Sequence, residues 1–514
     1  MSKFALILII AIAAFFRLWQ LDSIPPGLYP DVAMNGNNAL DALKTGGFKV
    51  FYPENNGREG LMMWLIAFSF SIFGVSVWSI KIVSAIIGIL TVWGLYLLTK
   101  ELFYRYEKCS HSVALLASFF LAVSFWHTIF SRIGFRAISL PFTLTFAFYF
   151  LFFGFRKKNI LPFIVSGIFF GLGFYTYTTY RLIILLLPLL LFCWPFYQNK
   201  KRYLLYTGSF LLTALIVAMP LGIYFLQNPQ DLFSRSVGIS IFSQPDIIKA
   251  FFESLGRHLI MFNISGDQNW RHNFAGSSQL FWPVGIFFLI GAALSAKHFI
   301  IGLKNKDHYL LMAPVFLFSL FFVMLLGSIL TYEGIPHALR SIGVIPPVFV
   351  FVGLGSYWMY EKLKQIIKNG KLLLAICFLT LAVIGYAEFN KYFFLWAKKP
   401  KVSEAFAVNY ADAGYFLNSV PDDVPKYVIV NEPDSPLYGI SIPAQTLMFI
   451  ESAKFGKPRA NYITFENLDS IKTGRPHTAI VSLYNGKTLD ELRKRFPQGV
   501  VKISDGILFY LVYE

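Results

Sequence analysis

Charge is scarce in this chain. Only 14% of its 514 residues are Asp, Glu, Lys or Arg, where a soluble domain carries about 25%. With 56% hydrophobic residues and a mean hydropathy of +0.57, that balance points away from an ordinary water-soluble domain and toward a membrane protein. Cysteine is scarcer still: Cys109, Cys193 and Cys377 lie inside or beside apolar runs, and none falls in residues 395–514. A disulfide framework or a cysteine metal site is therefore excluded from that last segment. That segment also has no glycine-rich phosphate loop after a strand, which leaves nucleotide binding by it unsupported.

The formal charge of +17 is unevenly placed. Residues 395–514 hold 14 basic and 13 acidic side chains, whereas the first 394 hold 31 basic and 15 acidic. The surplus sits in short clusters between apolar runs, the pattern of orientation in a bilayer and not of nucleic-acid binding. A helix needs roughly 20 apolar residues to cross a membrane. That rule predicts eleven spans, near 4–19, 79–99, 113–130, 138–155, 160–176, 182–197, 204–226, 281–297, 309–330, 342–360 and 372–390. The opening run MSKFALILIIAIAAFF is expected to be an uncleaved anchor, because many further apolar runs follow it. LMMWLIAFSFSIFGVSVW, residues 61–78, is too short for a clean span and is expected to lie along the interface.

Loops between the spans alternate in character. KELFYRYEKCSH, FRKKN, QNKKRY, AKHFIIGLKNKDH and EKLKQIIKNGK are short and basic, which assigns them to the cytoplasm. Residues 20–78, SRIGFR, TYTTYR, 227–280 and TYEGIPHALR then face outward. The expected fold class is a polytopic α-helical membrane domain over residues 1–394, with a first outer loop at about 20–78. An extracytoplasmic α/β domain over 395–514 follows, in which YVIVN, TAIVSL, VVKIS and ILFYLVYE read as strands. AFAVNYADAGYFLNS, PAQTLMFIESAK and TLDELRKRF read as helices between them, so the sheet is expected to be partly parallel.

Charged groups at the rim of a membrane are costly and point to function. On the expected outer side the first loop offers Asp31, Asp41, Arg58 and Glu59, and SRIGFR offers Arg132 and Arg136. Arg181 ends YTYTTYR, His337 and Arg340 lie in GIPHALRSIG, and GDQNWRHN carries Asp267, Trp270 and His272. Guanidinium forks bind phosphate, and a carboxylate can accept the proton of an attacking hydroxyl. Arg58, Arg132, Arg136, Arg181, His337 and Arg340 are thus candidates for a lipid phosphate, and Asp267, Trp270 and His272 for the sugar or acceptor. Structural alternatives stand beside each: Asp31 could cap a helix beginning near Val32, Asp41 reads as a solvated face, and Arg132 and Arg136 could snorkel or cap a span. On a helix those two arginines, four apart, would share a face.

FRLWQLDSIPPGLYPDVAMNGNNALDAL, GREGLMMWLIAFSFSIFGVSVWSIKIVSAIIGILTVWGLYLLTKELF, SRIGFRAISLPF, GDQNWRHN and PHALRSIG, in that order, resemble a bacterial branch of the GT-C glycosyltransferases. Its relatives are the protein O-mannosyltransferases and the lipid A aminoarabinose transferases. The resemblance covers most of residues 15–345. It implies transfer of a monosaccharide from a polyprenyl-phosphate donor to a protein, lipid or glycan acceptor, at the outer face of the cell (inner) membrane. It also implies that Asp31 is the base of an inverting transfer. Val32 stands where the mannosyltransferases carry a second carboxylate, and Glu59 is the candidate to replace it. Pro141 stands near a position where relatives tend to carry an Asp. A metal on Glu59 and His272 would have only two scattered ligands, so none is expected and no cofactor is assigned.

A flippase or transporter would predict two matching halves with broken helices, and the sequence shows no such repeat. A ligase or polymerase would use the same outer-face arginines on a diphosphate-linked donor. A receptor whose outer domain does the work would leave the polar clusters on the membrane loops without a purpose. The orientation is checked by labelling in a background with all three cysteines replaced by serine. In intact cells a membrane-impermeant maleimide is expected to label Lys494→Cys and not Lys304→Cys; the reverse pattern inverts the topology.

Overall fold

Backbone N–H and C=O groups have no water to bind in lipid, and the helix satisfies them within the segment. The computed structural model describes residues 2–194, 199–233, 238–430, 442–483 and 485–513. Seven helices among these are long and apolar enough to cross a membrane: Val77–Leu102, Arg136–Lys157, Lys200–Gln227, Trp282–Asn305, His308–Ile329, Ile342–Ile366 and Gly370–Trp396. They coincide with seven of the eleven expected spans. The other four fall on Ser2–Leu18, Glu107–Val123 continued by Phe125–Phe130, Ile160–Gly173 and Thr178–Cys193, each a shorter helical stretch. Residues 195–197 of the span expected at 182–197 lie outside the described residues. Leu61–Phe73 is a 13-residue apolar helix, too short to span.

The chain divides into two compact units. One comprises Met1–Trp19, Glu59–Leu61 and Ser84–Trp396; the other comprises Gln20–Arg58, Met62–Val83 and Ala397–Glu514.

Within the first unit, small residues let helices approach closely. Gly291 on Trp282–Asn305 and Gly355 on Ile345–Ile366 face each other across a crossing with no room for side chains. A Cβ on Gly291 would stand 1.8 Å from the Phe351 carbonyl oxygen, and one on Gly355 1.9 Å from that of Phe287. Gly167 and Gly171 on Ile160–Gly173 repeat the device against the carbonyls of Phe210 and Ala214. Apolar helices gain little from burial against one another in lipid, so this close van der Waals packing is what holds them.

Two buried arginines tie off helix ends in the same unit. Arg17, near the end of Ser2–Leu18, donates to the carbonyls of Ala122 (2.7 Å) and Leu121 (3.2 Å) at the end of Glu107–Val123. Arg132 answers by donating to Phe16 (2.9 Å) and Trp19 (2.7 Å) at the end of the first helix. Each guanidinium thus serves carbonyls that have no partner within their own helix. Glu388 does the complementary job, accepting from the Phe125 N–H at 3.0 Å where Phe125–Phe130 begins.

The second unit carries a five-stranded sheet. Its strands are β1 (Lys426–Val430), β2 (Asn461–Thr464), β3 (His477–Leu483), β4 (Val500–Ser504) and β5 (Ile507–Tyr513), in the order β2-β1-β3-β5-β4. β1 runs parallel to β2 and β3, with Val428 opposite Tyr462 and Val481, while β5 is antiparallel to β3 and β4. The partly parallel sheet is thus present, with β2 an addition that the sequence pattern did not signal. Asn431 and Glu514, the last residues of two expected strands, lie outside the described residues. The expected helices appear as Val408–Ser419, Ala444–Phe455 and Gly486–Arg495.

Helix Pro30–Thr45 packs in this unit against Ala444–Phe455. Gly36 admits the Phe449 ring, Asn37 donates to the Gln445 carbonyl at 3.0 Å, and Thr446 donates to the Leu28 carbonyl at 2.9 Å. Gly36 and Asn37 of PDVAMNGNNALDAL therefore build a helix–helix contact.

The Gly291–Gly355 crossing gives a direct test. Gly355→Leu is expected to destabilise the protein by about 2 kcal/mol through overpacking, read as a lowered melting temperature in detergent.

Candidate active site

Glu59 has no exposed surface. It sits at the end of the two-residue strand Arg58–Glu59, and both its oxygens are used within the first unit. Oε2 accepts from Arg136 Nε at 3.1 Å, and Oε1 from Arg181 Nη2 at 3.2 Å and Thr178 Oγ1 at 3.3 Å. The arginines arrive from two irregular turns. Arg136 opens the 3₁₀ turn Arg136–Ile138 at the head of Ser139–Lys157, and Arg181 lies in the 3₁₀ stretch Thr178–Leu186. Both guanidinium groups lie near aromatic faces, Arg136 at 5.5 Å from the Tyr177 ring centre and Arg181 at 4.8 Å from that of Phe225. The carboxylate is sealed, but its partners keep 10% and 22% of their side-chain surface exposed. Two guanidinium groups thus share one carboxylate.

Arg132 and Arg136 do not share a helix face. Phe125–Phe130 ends at Ser131, and Gly134 turns the chain with φ +78°, so Arg132 goes to the helix-end carbonyls and Arg136 to Glu59. The turn between them also carries Phe135, whose ring lies 6.4 Å from that of His272. A single segment therefore touches both polar clusters of the unit.

That second cluster centres on Asp267, which is buried. Oδ1 accepts from the Asn269 N–H at 2.7 Å, and Oδ2 from the Ala338 N–H at 2.8 Å and His272 Nδ1 at 3.0 Å. The two expected motifs, GDQNWRHN and PHALR, thus meet at one carboxylate. His337 lies beside it, with Nδ1 3.9 Å from Asp267 Oδ2 and its ring 4.8 Å from that of His272. Its N–H donates to His258 Nε2 at 3.2 Å, while His258 Nδ1 donates to the Ser254 carbonyl at 2.7 Å. Burial pushes the His258 imidazole down to about 4, so at neutral pH it stays uncharged in the tautomer these bonds require. Arg340 pairs with Glu333 at 2.6 Å and donates to the Thr331 hydroxyl. Trp270 serves through its carbonyl, which accepts from Trp396 Nε1 at 3.0 Å.

Asp31 and Arg58 belong to the second unit. The helix begins at Pro30 with Tyr29 as its N-cap, so Asp31 is not the cap. It stands in the first turn, favourable to the helix dipole, and accepts from Asn55 Nδ2 at 2.9 Å. Arg58 is buried, donating to Asn35 Oδ1 at 2.7 Å and Asn38 Oδ1 at 2.6 Å and pairing with Glu54. Asp41 is exposed. Thr178, His258, Glu333 and Phe135 had not been singled out from sequence. Glu333 lies within TYEGIPHALR, whereas a threonine in a tyrosine run and a histidine 79 residues from its partner give no local signal.

A family model described as dolichyl-phosphate-mannose-protein mannosyltransferase matches residues 61–224. No curated protein sequence matches the chain. Among solved structures, ArnT from Cupriavidus metallidurans bound to undecaprenyl phosphate superposes with TM-score 0.57 at 13% identity, covering 98% of this chain and 97% of that one. The oligosaccharyltransferase AglB from Archaeoglobus fulgidus, in complex with an inhibitory peptide and a dolichol-phosphate, gives 0.53 at 13%, covering 100% and 74%. The same organism's oligosaccharyltransferase tethered to an acceptor peptide gives 0.52 at 14%, covering 90% and 64%. The chain has the GT-C fold of these proteins and is a multi-pass membrane protein.

Removing the shared anion leaves two cations facing each other with little water. Glu59→Gln is expected to destabilise the protein by roughly 3 kcal/mol, measured by thermal or denaturant unfolding in detergent, with Glu59→Asp intermediate.

Proposed function

We propose that the protein is an inverting glycosyltransferase that moves a monosaccharide from a polyprenyl-phosphate donor to an acceptor hydroxyl on the outer face of the cell membrane. The observation that carries this reading is the pair of guanidinium groups held by buried Glu59 with part of their surface exposed. Lipid-phosphate ligands of the fold relatives ArnT and AglB and the matched mannosyltransferase family model support it.

Charge favours a monophosphate donor. A sugar–phosphate–lipid diester carries one negative charge and phosphate oxygens that the exposed sides of the Arg136 and Arg181 guanidinium groups suit. As the sugar leaves, the phosphate becomes a dianion, and donors already in place stabilise the charge that develops. A diphosphate-linked donor, the alternative, brings more charge than this cluster offsets.

In the proposed reaction Asp31 takes the proton of the acceptor hydroxyl. The freed oxygen attacks the anomeric carbon on the face opposite the phosphate. The carbon–oxygen bond to phosphate breaks with both electrons leaving on the lipid phosphate, so the anomeric configuration inverts. Glu59, with both oxygens engaged, positions the arginines. Arg58 and Arg132, held by asparagine side chains and helix-end carbonyls, serve the fold in this reading. His272 borders the arginine turn through Phe135, and Asp267, His272, His337 and Arg340 are assigned to the sugar and acceptor side.

Two variants test the division of labour. Arg136→Ala with Arg181→Ala is expected to weaken undecaprenyl-phosphate binding at least tenfold. Asp31→Asn is expected to keep that binding and lose at least a hundredfold in transfer, read in membranes. Retained turnover in Asp31→Asn overturns the base assignment. Mass spectrometry of envelope glycans, glycolipids and glycoproteins with and without the gene identifies the sugar and acceptor from the pool that loses it.

A further inference from the structure

Asp412, Tyr415 and Ser419 stand three and four residues apart on helix Val408–Ser419, so they share one face. The opposite side of that helix is apolar, with Ala413 and Leu417 packed in one buried cluster with Val428 and Val481 of the sheet. The first face is polar instead, and Asp412 and Tyr415 are exposed on it. It walls a cleft of about 750 Å³, which residues 22–28, residues 75–78 and helix Ala444–Phe455 complete. Every lining residue belongs to the second unit. Ligand sites commonly measure about 300–1,000 Å³, so the cleft has room for one. Among the described residues, the Asp22 and Asp412 carboxylates that line it have no hydrogen-bond or ion-pair partner. Its lysine, Lys454, donates to the Asn418 carbonyl at 3.1 Å. Two rings flank these groups: Tyr415, and Trp78, which stands edge-on to Phe73 with centroids 5.3 Å apart. Burial, with Asp412 and Asp22 nearby, holds the Tyr415 phenol above its usual range, so it stays a protonated donor.

We propose that this cleft is a carbohydrate-binding site for a neutral or amino-bearing oligosaccharide. A sugar presents hydroxyl donors in adjacent pairs, which the two oxygens of one carboxylate accept together. Its other aspect is a flat patch of C–H bonds, which lies well on an aromatic ring. Asp22 and Asp412 supply the first kind of contact, Tyr415 and Trp78 the second. Charge narrows the class further. A phosphate headgroup or an acidic sugar would meet two carboxylates against one lysine, and like charges repel. A chain suits the surface better than a single sugar, because Asp412 also lines a second cavity of about 270 Å³ with Asn409, Lys502 and Asp505. A hydroxyl-bearing polymer can thus engage Asp412 and continue to either side. This site does not depend on the transferase reading, since binding is read without turnover.

The test uses the full-length protein in a detergent without a sugar headgroup, titrated calorimetrically with maltohexaose, mannohexaose and the hexamer of glucosamine. At least one is expected to bind with a Kd below about 1 mM. Hexagalacturonate, an anionic chain of equal length, is expected not to bind. Tyr415→Ala and Asp412→Asn are each expected to weaken binding at least about fivefold, through loss of a ring contact or a charged acceptor. Both positions are exposed, so an unchanged melting temperature is expected in each variant. Tyr415→Phe, which keeps the ring, is expected to bind more tightly than Tyr415→Ala. Pentalysine is titrated alongside, because two carboxylates would also attract a cationic peptide. No binding of any of the three sugars up to about 10 mM overturns the proposal. So does equal affinity in Tyr415→Ala, Asp412→Asn and the unmodified protein, equal binding of hexagalacturonate, or heat from pentalysine alone.

Discussion

A carboxylate with no exposed surface keeps its charge only where donors replace the water it has lost. Glu59 meets that condition by holding Arg136 and Arg181, and the geometry of the first unit's polar side follows from it. Two 3₁₀ turns, at the heads of different helical segments, are fixed in relation to each other because their arginines share one anion. The arrangement is asymmetric in a useful way. The anion is sealed and the cations are not, so the exposed guanidinium surface has an anchored position. A phosphate-binding site built from unanchored lysines would have no such fixed geometry.

The arginines divide into two physical classes that look alike in a sequence. Arg17 and Arg132 spend their donors on carbonyls at helix ends, where the backbone has no other partner. Arg58 spends its donors on two asparagines of one helix. These side chains are spent within the fold. Arg136 and Arg181, by contrast, share one buried carboxylate and retain surface. The difference is a matter of which groups each fork reaches, and in the Arg132/Arg136 pair it is set by Gly134, whose positive φ breaks the helix between them.

Asp267 plays the same organising part for two other polar motifs. One carboxylate accepts from a side chain and from backbone groups of both GDQNWRHN and PHALR, so two loops distant in sequence form one surface. Phe135, the neighbour of Arg136, packs on His272. The arginine turn and the histidine loop therefore meet through one ring contact.

Much of the architecture was legible from residues alone, because it depends on local or near-local physics. Long apolar runs become helices wherever lipid is the solvent, and alternating strand and helix patterns in 395–514 become a mixed sheet. The polar motifs also announced themselves, since charge next to a span is costly enough to be conspicuous. What sequence spacing could not decide was partnership. That Glu59 lies against Arg136 and Arg181, that Arg132 closes the first helix, and that Asp267 joins His272 to the loop of His337 depend on contacts between residues tens to more than a hundred positions apart. β2 escaped notice for a related reason: four residues, Asn461–Thr464, with little burial become a strand only because β1 offers its edge. Composition and periodicity determined that this chain is a membrane-embedded helical protein carrying a small α/β domain, because burial and backbone satisfaction act residue by residue. Only the tertiary structure decided which of its charged side chains support helices and which hold one another, because a hydrogen bond is a statement about distance in space and the sequence records distance along the chain.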